Sequence, residues 1–188
     1  MKRFFILLSI LIPFFVYSQK HIEFLGLPLN GTISTFTTKL KNKGFTLHPY
    51  NNEAPKGERI FNGTFFRKKA QIQIYYNIKN NIVYKGRAII DFNDRESAKS
   101  FIKEILSGLE SKYGDGFDGH DESDLYFSKL LYDRNTESEN DGNLGLYFIG
   151  WVEVYLNYFS NRNVYTVYIA YTDFKNERAN KKGMIDDL

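Results

Sequence analysis

Gln71-Ile72-Gln73-Ile74-Tyr75-Tyr76-Asn77-Ile78 sets Ile72, Ile74, Tyr76 and Ile78 on one side of an extended chain and Gln71, Gln73, Tyr75 and Asn77 on the other. That two-residue period is what a sheet with one buried face requires. Polar turns flank the strand, Arg67-Lys68-Lys69 before it and Asn80-Asn81 after it. Glu58 to Arg67 reads as the preceding strand, with Phe61 and Phe65 on one face and Gly63 as a candidate bulge. Phe45 to Tyr50 opens this block, and Ile82 to Asp91 completes an antiparallel meander.

A helix stands on either side of the meander. Thr32 or Ser34 can cap the first one, and Ile33, Phe36 and Leu40 follow at spacings of three and four. Lys39, Lys41 and Lys43 complement the dipole at its end, and Gly44 is placed to stop it. Thr35, Thr37 and Thr38 lower its propensity, so it must rely on packing. The second helix starts at Asn93, three residues before Glu96, in a capping-box-like arrangement. Ala98, Phe101, Ile102, Ile105 and Leu109 form one apolar stripe, and Gly114 is its expected C-cap.

Three further strands are expected: Leu125 to Asp133, Leu144 to Phe159 and Val164 to Phe174. The middle one has Gly145 and Gly150 as bend points. Lys175 to Leu188 is polar and reads as a frayed tail. The order is helix then about four strands, followed by helix then about three. The expected fold class is therefore α+β: an antiparallel twisted sheet with two helices packed on one face. Residues 24–92 and 93–174 are candidate tandem helix-plus-meander repeats.

Residues Met1 to Ser18 carry the clearest statement about destination. Lys2 and Arg3 precede a nearly unbroken apolar run, Phe4 to Val16, and Val16-Tyr17-Ser18 offers a peptidase site. This is the layout of a secretory signal peptide. The run is shorter than the roughly 20 apolar residues of a membrane span, and Pro13 interrupts it. Cleavage after Ser18 leaves 170 residues (188 less 18) as a single α+β domain over 19–174 with the polar tail. A domain of that size buries roughly 70% of its unfolded surface and needs no staples.

The chain has no cysteine, so the exported protein has neither disulfides nor a lipid-bearing cysteine. A periplasmic or secreted protein, not lipid-anchored and not stably inserted in the membrane, is the expectation. Without Lys2 and Arg3, 23 basic residues face 22 acidic ones, a net of +1. That balance excludes nucleic acid as a general partner. The 14 Tyr and 17 Phe cluster in alternating runs, as β structure favours.

The stretch Phe24-Leu25-Gly26-Leu27-Pro28-Leu29-Asn30-Gly31-Thr32, followed by a helix ending in Lys43-Gly44-Phe45, resembles a group of uncharacterised exported proteins of Gram-negative gut-type bacteria. These carry an F-x-G-x-P-x-x-G lead-in. The double helix-plus-meander order also resembles the β-lactamase-inhibitor-protein architecture, a version of which occurs in small outer-membrane assembly lipoproteins. The resemblance implies an αβ-repeat fold and brings no catalytic residue with it.

Asp115-Gly116-Phe117-Asp118-Gly119-His120-Asp121-Glu122-Ser123-Asp124 is the candidate metal loop, with Asp115, Asp118 and Asp121 as hard-oxygen ligands for a calcium-like ion. Its spacing departs from the EF-hand pattern, and a solvated loop fits the same residues. His21, His48 and His120 are scattered and match no zinc motif. No serine sits in a G-x-S-x-G turn, no phosphate-cradling glycine loop precedes a helix, and no cofactor is expected.

In the strand ending at Phe159, Leu146, Phe148, Val152, Val154 and Leu156 share the core face. Tyr147, Ile149, Trp151, Tyr155 and Phe159 share the other, with Tyr168 expected nearby. If helices cover one face only, Tyr147, Trp151, Tyr155 and Tyr168 form an open aromatic platform for a protein or glycan partner. The alternative buries both faces, the second under the other repeat or a second subunit. The expected function is a non-enzymatic exported binding protein of the bacterial envelope. Its rivals are an extracytoplasmic hydrolase using carboxylates of residues 115–124 and a self-associating structural component.

Overall fold

Ile72 and Ile74 are fully buried, whereas Gln71, Gln73 and Tyr75 stay half-open on the opposite side of their strand. The structure is a computed structural model that describes residues 21–120, 125–133 and 147–185. The expected signal peptide over 1–18, Asp121 and Gly145 lie outside the described residues.

A short hairpin, β1 (Glu23–Phe24) and β2 (Leu27–Pro28), leads into α1 (Ile33–Asn42). Next come β3 (Thr46–Leu47), a single 3₁₀ turn at Asn51–Glu53, β4 (Glu58–Phe65), β5 (Lys68–Tyr76) and β6 (Val83–Phe92). The second half runs α2 (Arg95–Tyr113), β7 (Asp118–His120), β8 (Tyr126–Asp133), β9 (Tyr147–Phe159), β10 (Val164–Asp173) and α3 (Phe174–Ile185). The main sheet has eight strands in the order β3-β4-β5-β6-β10-β9-β8-β7, with antiparallel neighbours throughout. The fold is α+β.

The sheet order places one helix-plus-four-strand unit beside another, joined through their last strands. β6 and β10 are ten residues each and start 81 positions apart (164 less 83). Ala88 pairs directly with Ile169, also 81 positions apart. Ala88 and Ile169 thus hold matching positions in the two central strands of the sheet.

One core lies on one side of the sheet. Ile33, Phe36 and Leu40 of α1 and Ala98, Phe101, Ile102, Ile105 and Leu109 of α2 join Ile72, Ala88, Val154 and Ile169 in a single buried cluster. Removing that much apolar surface from water, at about 25 cal/mol per Å2, is what holds the threonine-rich α1 in place. Thr32 caps α1 through its hydroxyl, which accepts from the Thr35 amide. Gly44, at φ +88°, takes the left-handed position that ends it.

Several expectations are corrected. The cap of α2 is Asp94, not Asn93: its carboxylate accepts the Ser97 amide at 2.7 Å, the negative charge also suiting a helix N-terminus. Gly63 makes no bulge, because β4 pairs with β5 without a slip. Its missing Cβ is instead the seat of the Phe45 ring, and Gly86 seats Phe24 in the same way. Phe148 is exposed and Ile149 packs on the core, the reverse of the alternation. The cause is a register shift, in which Leu131 pairs with Gly150 but Tyr132 with Phe148, so Ile149 is the extra residue.

Residues 115–124 are not all loop, since Asp118–His120 form edge strand β7 against β8. The polar C-terminal stretch is a third helix rather than a frayed tail. Asp173 caps it by accepting the Asn176 amide at 3.0 Å. The Asn176 side chain in turn donates to the carbonyls of Leu29 and Val83.

Candidate functional site

Strand alternation sends Gln73 and Tyr75 of β5, Arg87 of β6, Tyr168 of β10, and Glu153 and Tyr155 of β9 to the face away from α1 and α2. Pairing then decides which of them meet. Tyr168 is directly opposite Tyr155, and their rings stack at 4.8 Å and 13°. Tyr155 is also opposite Tyr126 of β8, at 6.1 Å and 30°. On the other flank the Arg87 guanidinium lies 5.3 Å from the Tyr168 ring and 5.4 Å from the Tyr75 ring. The result is a continuous ladder, Tyr75, Arg87, Tyr168, Tyr155, Tyr126, across five adjacent strands. Cross-strand and cation–π contacts of this kind contribute about 0.5–1 kcal/mol each.

Polar bonds fix the ladder's ends. The Gln73 carbonyl oxygen accepts from Arg87 Nε at 2.9 Å, from Arg87 Nη2, and from the Tyr75 hydroxyl at 2.9 Å. The Tyr126 hydroxyl donates to Glu153 at 2.8 Å, and Lys85 faces the same carboxylate at 3.7 Å. Burial pushes the Tyr75 phenol up to about 12 against the opposing field of Arg87. Tyr126 is likewise pushed up to about 12, by burial first and by Glu153 second. Burial also raises Tyr168 and the Glu58 carboxyl, in both cases opposed by Arg87.

A hollow lies on this face. It measures about 1020 Å3, and Gln73, Arg87, Tyr155, Tyr168, Lys69 and Arg162 are among the residues that line it, with Gln73 and Arg87 toward one end along the strands and Lys69 and Arg162 toward the other. Asp91 also lines it, accepting the Thr166 hydroxyl at 2.6 Å and facing Arg162 at 3.5 Å.

Of the four aromatic candidates, the structure brings Tyr155 and Tyr168 together. Trp151, half-buried, is opposite Thr172, four residues along β9 and so roughly 13 Å from Tyr155 at the usual rise. Tyr147 pairs with Asp133 at the far end of β9, roughly 25 Å from Tyr155 on the same rise. Neither belongs to the ladder. Arg87, Gln73, Tyr75 and Tyr126 were missed. The alternation of 71–78 puts Gln73 and Tyr75 on the non-core face, but only the β6–β10 pairing sets them beside Tyr168.

The acidic stretch is a different place. Asp115 and Asp118 are exposed, and the Lys129 ammonium donates to the Gly114 carbonyl at 2.6 Å and to that of Asp115. A fixed positive charge thus holds carbonyls a calcium-like ion would need. Among the described residues no three His, Asp or Glu side chains gather as a metal site. His21 pairs with the buried Asp173 at 2.8 Å, and His48 accepts the Tyr50 amide at 3.2 Å, so both have local structural partners. No helix among the described residues is long and apolar enough to cross a membrane.

No family model, curated protein or solved structure matches the chain.

Proposed function

We propose that this chain is an exported, non-enzymatic binding protein of the bacterial envelope, whose open sheet face holds a protein partner. The observation that carries the reading is the five-strand ladder centred on Arg87, Tyr168 and Tyr155 over a wide hollow. Tyrosine and arginine supply large contact area with polar tips, and they dominate the energetics of protein interfaces. Side chains already stacked on one another lose less rotamer freedom when a partner arrives, which lowers the cost of association. The export half of the proposal rests on Met1 to Ser18. A glycan is the poorer partner, because a sugar ring stacks on a free aromatic face. The faces of Tyr155 and Tyr168 are taken up by each other, by Tyr126 and by Arg87.

Site-specific photocrosslinking in the producing bacterium tests this. A benzophenone side chain at exposed Asn157, beside the ladder, is expected to yield a heavier protein adduct. The same group at Lys41 on α1 or Lys103 on α2 is expected to yield none. No adduct at Asn157, or equal adducts at all three sites, rejects the binding face. An adduct containing two copies of this chain moves the assignment to self-association.

A further inference from the structure

We infer that the hollow is a carboxylate-binding site anchored by Arg87, and that its ligand is an acidic peptide segment of the partner. This rests on the open face being the binding face.

Arg87 is held in a way that leaves one side of its guanidinium unused. Tyr75 and Tyr168 flank it at 5.4 and 5.3 Å. The Gln73 carbonyl takes its Nε and one Nη2 hydrogen. What remains is the Nη1–Nη2 edge, whose two parallel N–H groups match the two oxygens of a carboxylate. No carboxylate among the described residues lies within 4.0 Å of it. Glu58 acts on it only through its field. A half-buried, fixed and unpaired guanidinium is poorly solvated, so an incoming carboxylate gains more there than at a flexible surface arginine.

The charge of the whole hollow has the same sign. Its lining holds Lys69, Arg87 and Arg162 against Asp91, a net of +2 (three less one). Asp91 and Arg162 face one another, which leaves Arg87 and the exposed Lys69 as the two unpaired cations. Two separated cations suit a chain bearing two or more carboxylates better than a single small anion. The ring faces of Tyr155 and Tyr168, the ladder tyrosines that line the hollow, are already stacked, which suits a peptide rather than a sugar.

The test uses the purified chain and two labelled probes, acetylated tetraglutamate amide and acetylated tetraglutamine amide, followed by fluorescence polarisation at low salt. Tetraglutamate is expected to bind at least about tenfold tighter than tetraglutamine, the scale of one charge-assisted pair. Arg87→Met is expected to lose at least about tenfold. Arg87→Lys keeps the charge but not the fork, and its expected loss guards against a folding defect in the first variant. Arg67→Met, outside the hollow, is expected to bind like the parent.

Equal binding of the two probes overturns the site, as does unchanged binding by the folded Arg87 variants. Displacement of tetraglutamate by heparin or inorganic phosphate at equal charge also overturns it, in favour of a general anion surface. If tetraglutamate fails to bind while the Asn157 adduct persists, the carboxylate site falls and the binding face stands. Loss of both rejects the face itself.

Discussion

The guanidinium carbon of Arg87 lies 5.3 Å from the ring centroid of Tyr168, across the strand pair where the two halves of the sheet meet. The two residues hold the same position in their own halves. They are 81 apart (168 less 87), the offset that also relates Ala88 to Ile169. One half thus contributes a polar pair, Gln73 and Arg87, and the other contributes the stacked Tyr155 and Tyr168. The seam between the halves is where cation and rings touch.

The stack is expected to behave as a coupled unit. Tyr155→Ala and Tyr168→Ala each lose about 1–2 kcal/mol, and the double variant loses less than the sum by about 0.5–1 kcal/mol. Urea unfolding of the four proteins measures that coupling. Strict additivity within error would show that the rings merely sit beside one another.

The Phe24 ring lies where a Cβ on Gly86 would have to go. Gly86→Ala is therefore expected to cost about 1–3 kcal/mol through overpacking. In the Gly86→Ala background, Phe24→Ala should cost less than it does in the parent, because removing the ring relieves the clash. Thermal melts of the single and double variants check this.

Asp173 is buried and its carboxylate accepts from the His21 ring, the Ile22 amide and the Asn176 amide. Asp173→Ala leaves two backbone donors unsatisfied and removes the cap of α3, for an expected loss of about 2–4 kcal/mol. Hydrogen exchange should quicken in 174–185 and at Ile22 more than in β4 or β5. Uniform quickening would mean that α3 and the lead-in unfold only with the whole domain.

Alkaline pH is expected to weaken the fold before any backbone chemistry occurs. Tyr75 and Tyr126 are raised to about 12, and burial also lifts Tyr84, Tyr168 and Tyr171. Unfolded phenols ionise near ~10, so between those values the unfolded chain has already released protons that the native state retains. The stabilisation is complete below pH about 10 and is lost as pH rises toward about 12. Urea midpoints at pH 8, 10 and 11.5 should fall in that order, with a shallower fall for Tyr126→Phe.

Acid acts through a different residue and with the opposite sign. Backbone and side-chain hydrogen bonds from Ser97 hold the Asp94 carboxyl below its ordinary value. Its contribution to α2 is present above the unfolded carboxylate range and lost as pH falls through the native value. Asp94→Ala should lower stability at pH 7 and flatten the loss between roughly pH 4 and pH 2. An unchanged acid profile would show that the cap carries no weight.

The elements were legible in the sequence because local patterns dictate them. The alternation marked β5 as far as Tyr76, where a register shift leaves Asn77 buried and Ile78 exposed, and the spacing from Ala98 to Leu109 marked the buried stripe of α2. Gly44 and Gly114 marked the two helix ends. Local patterns failed where a distant residue competes. Gly63 looks like a bulge until Phe45 folds onto it, and Ile149 looks exposed until the shift against Leu131 turns it inward. Asp173 shows its capping role only with α3 in place, since helix formers in a polar stretch fit a tail equally well.

The sequence by itself determined that this is an α+β chain with a signal-like leader and an excess of tyrosine on its strands, and it left open whether one sheet face or both are buried. Tertiary structure alone decided which tyrosines meet. Strand periodicity tells which face a side chain takes, but not which strand lies beside it. The pairing of β6 with β10, residues 81 apart, depends on how two complete units dock. That docking set Arg87 against Tyr168, left Tyr147 and Trp151 outside the ladder, and so placed the candidate site at the seam between the two halves.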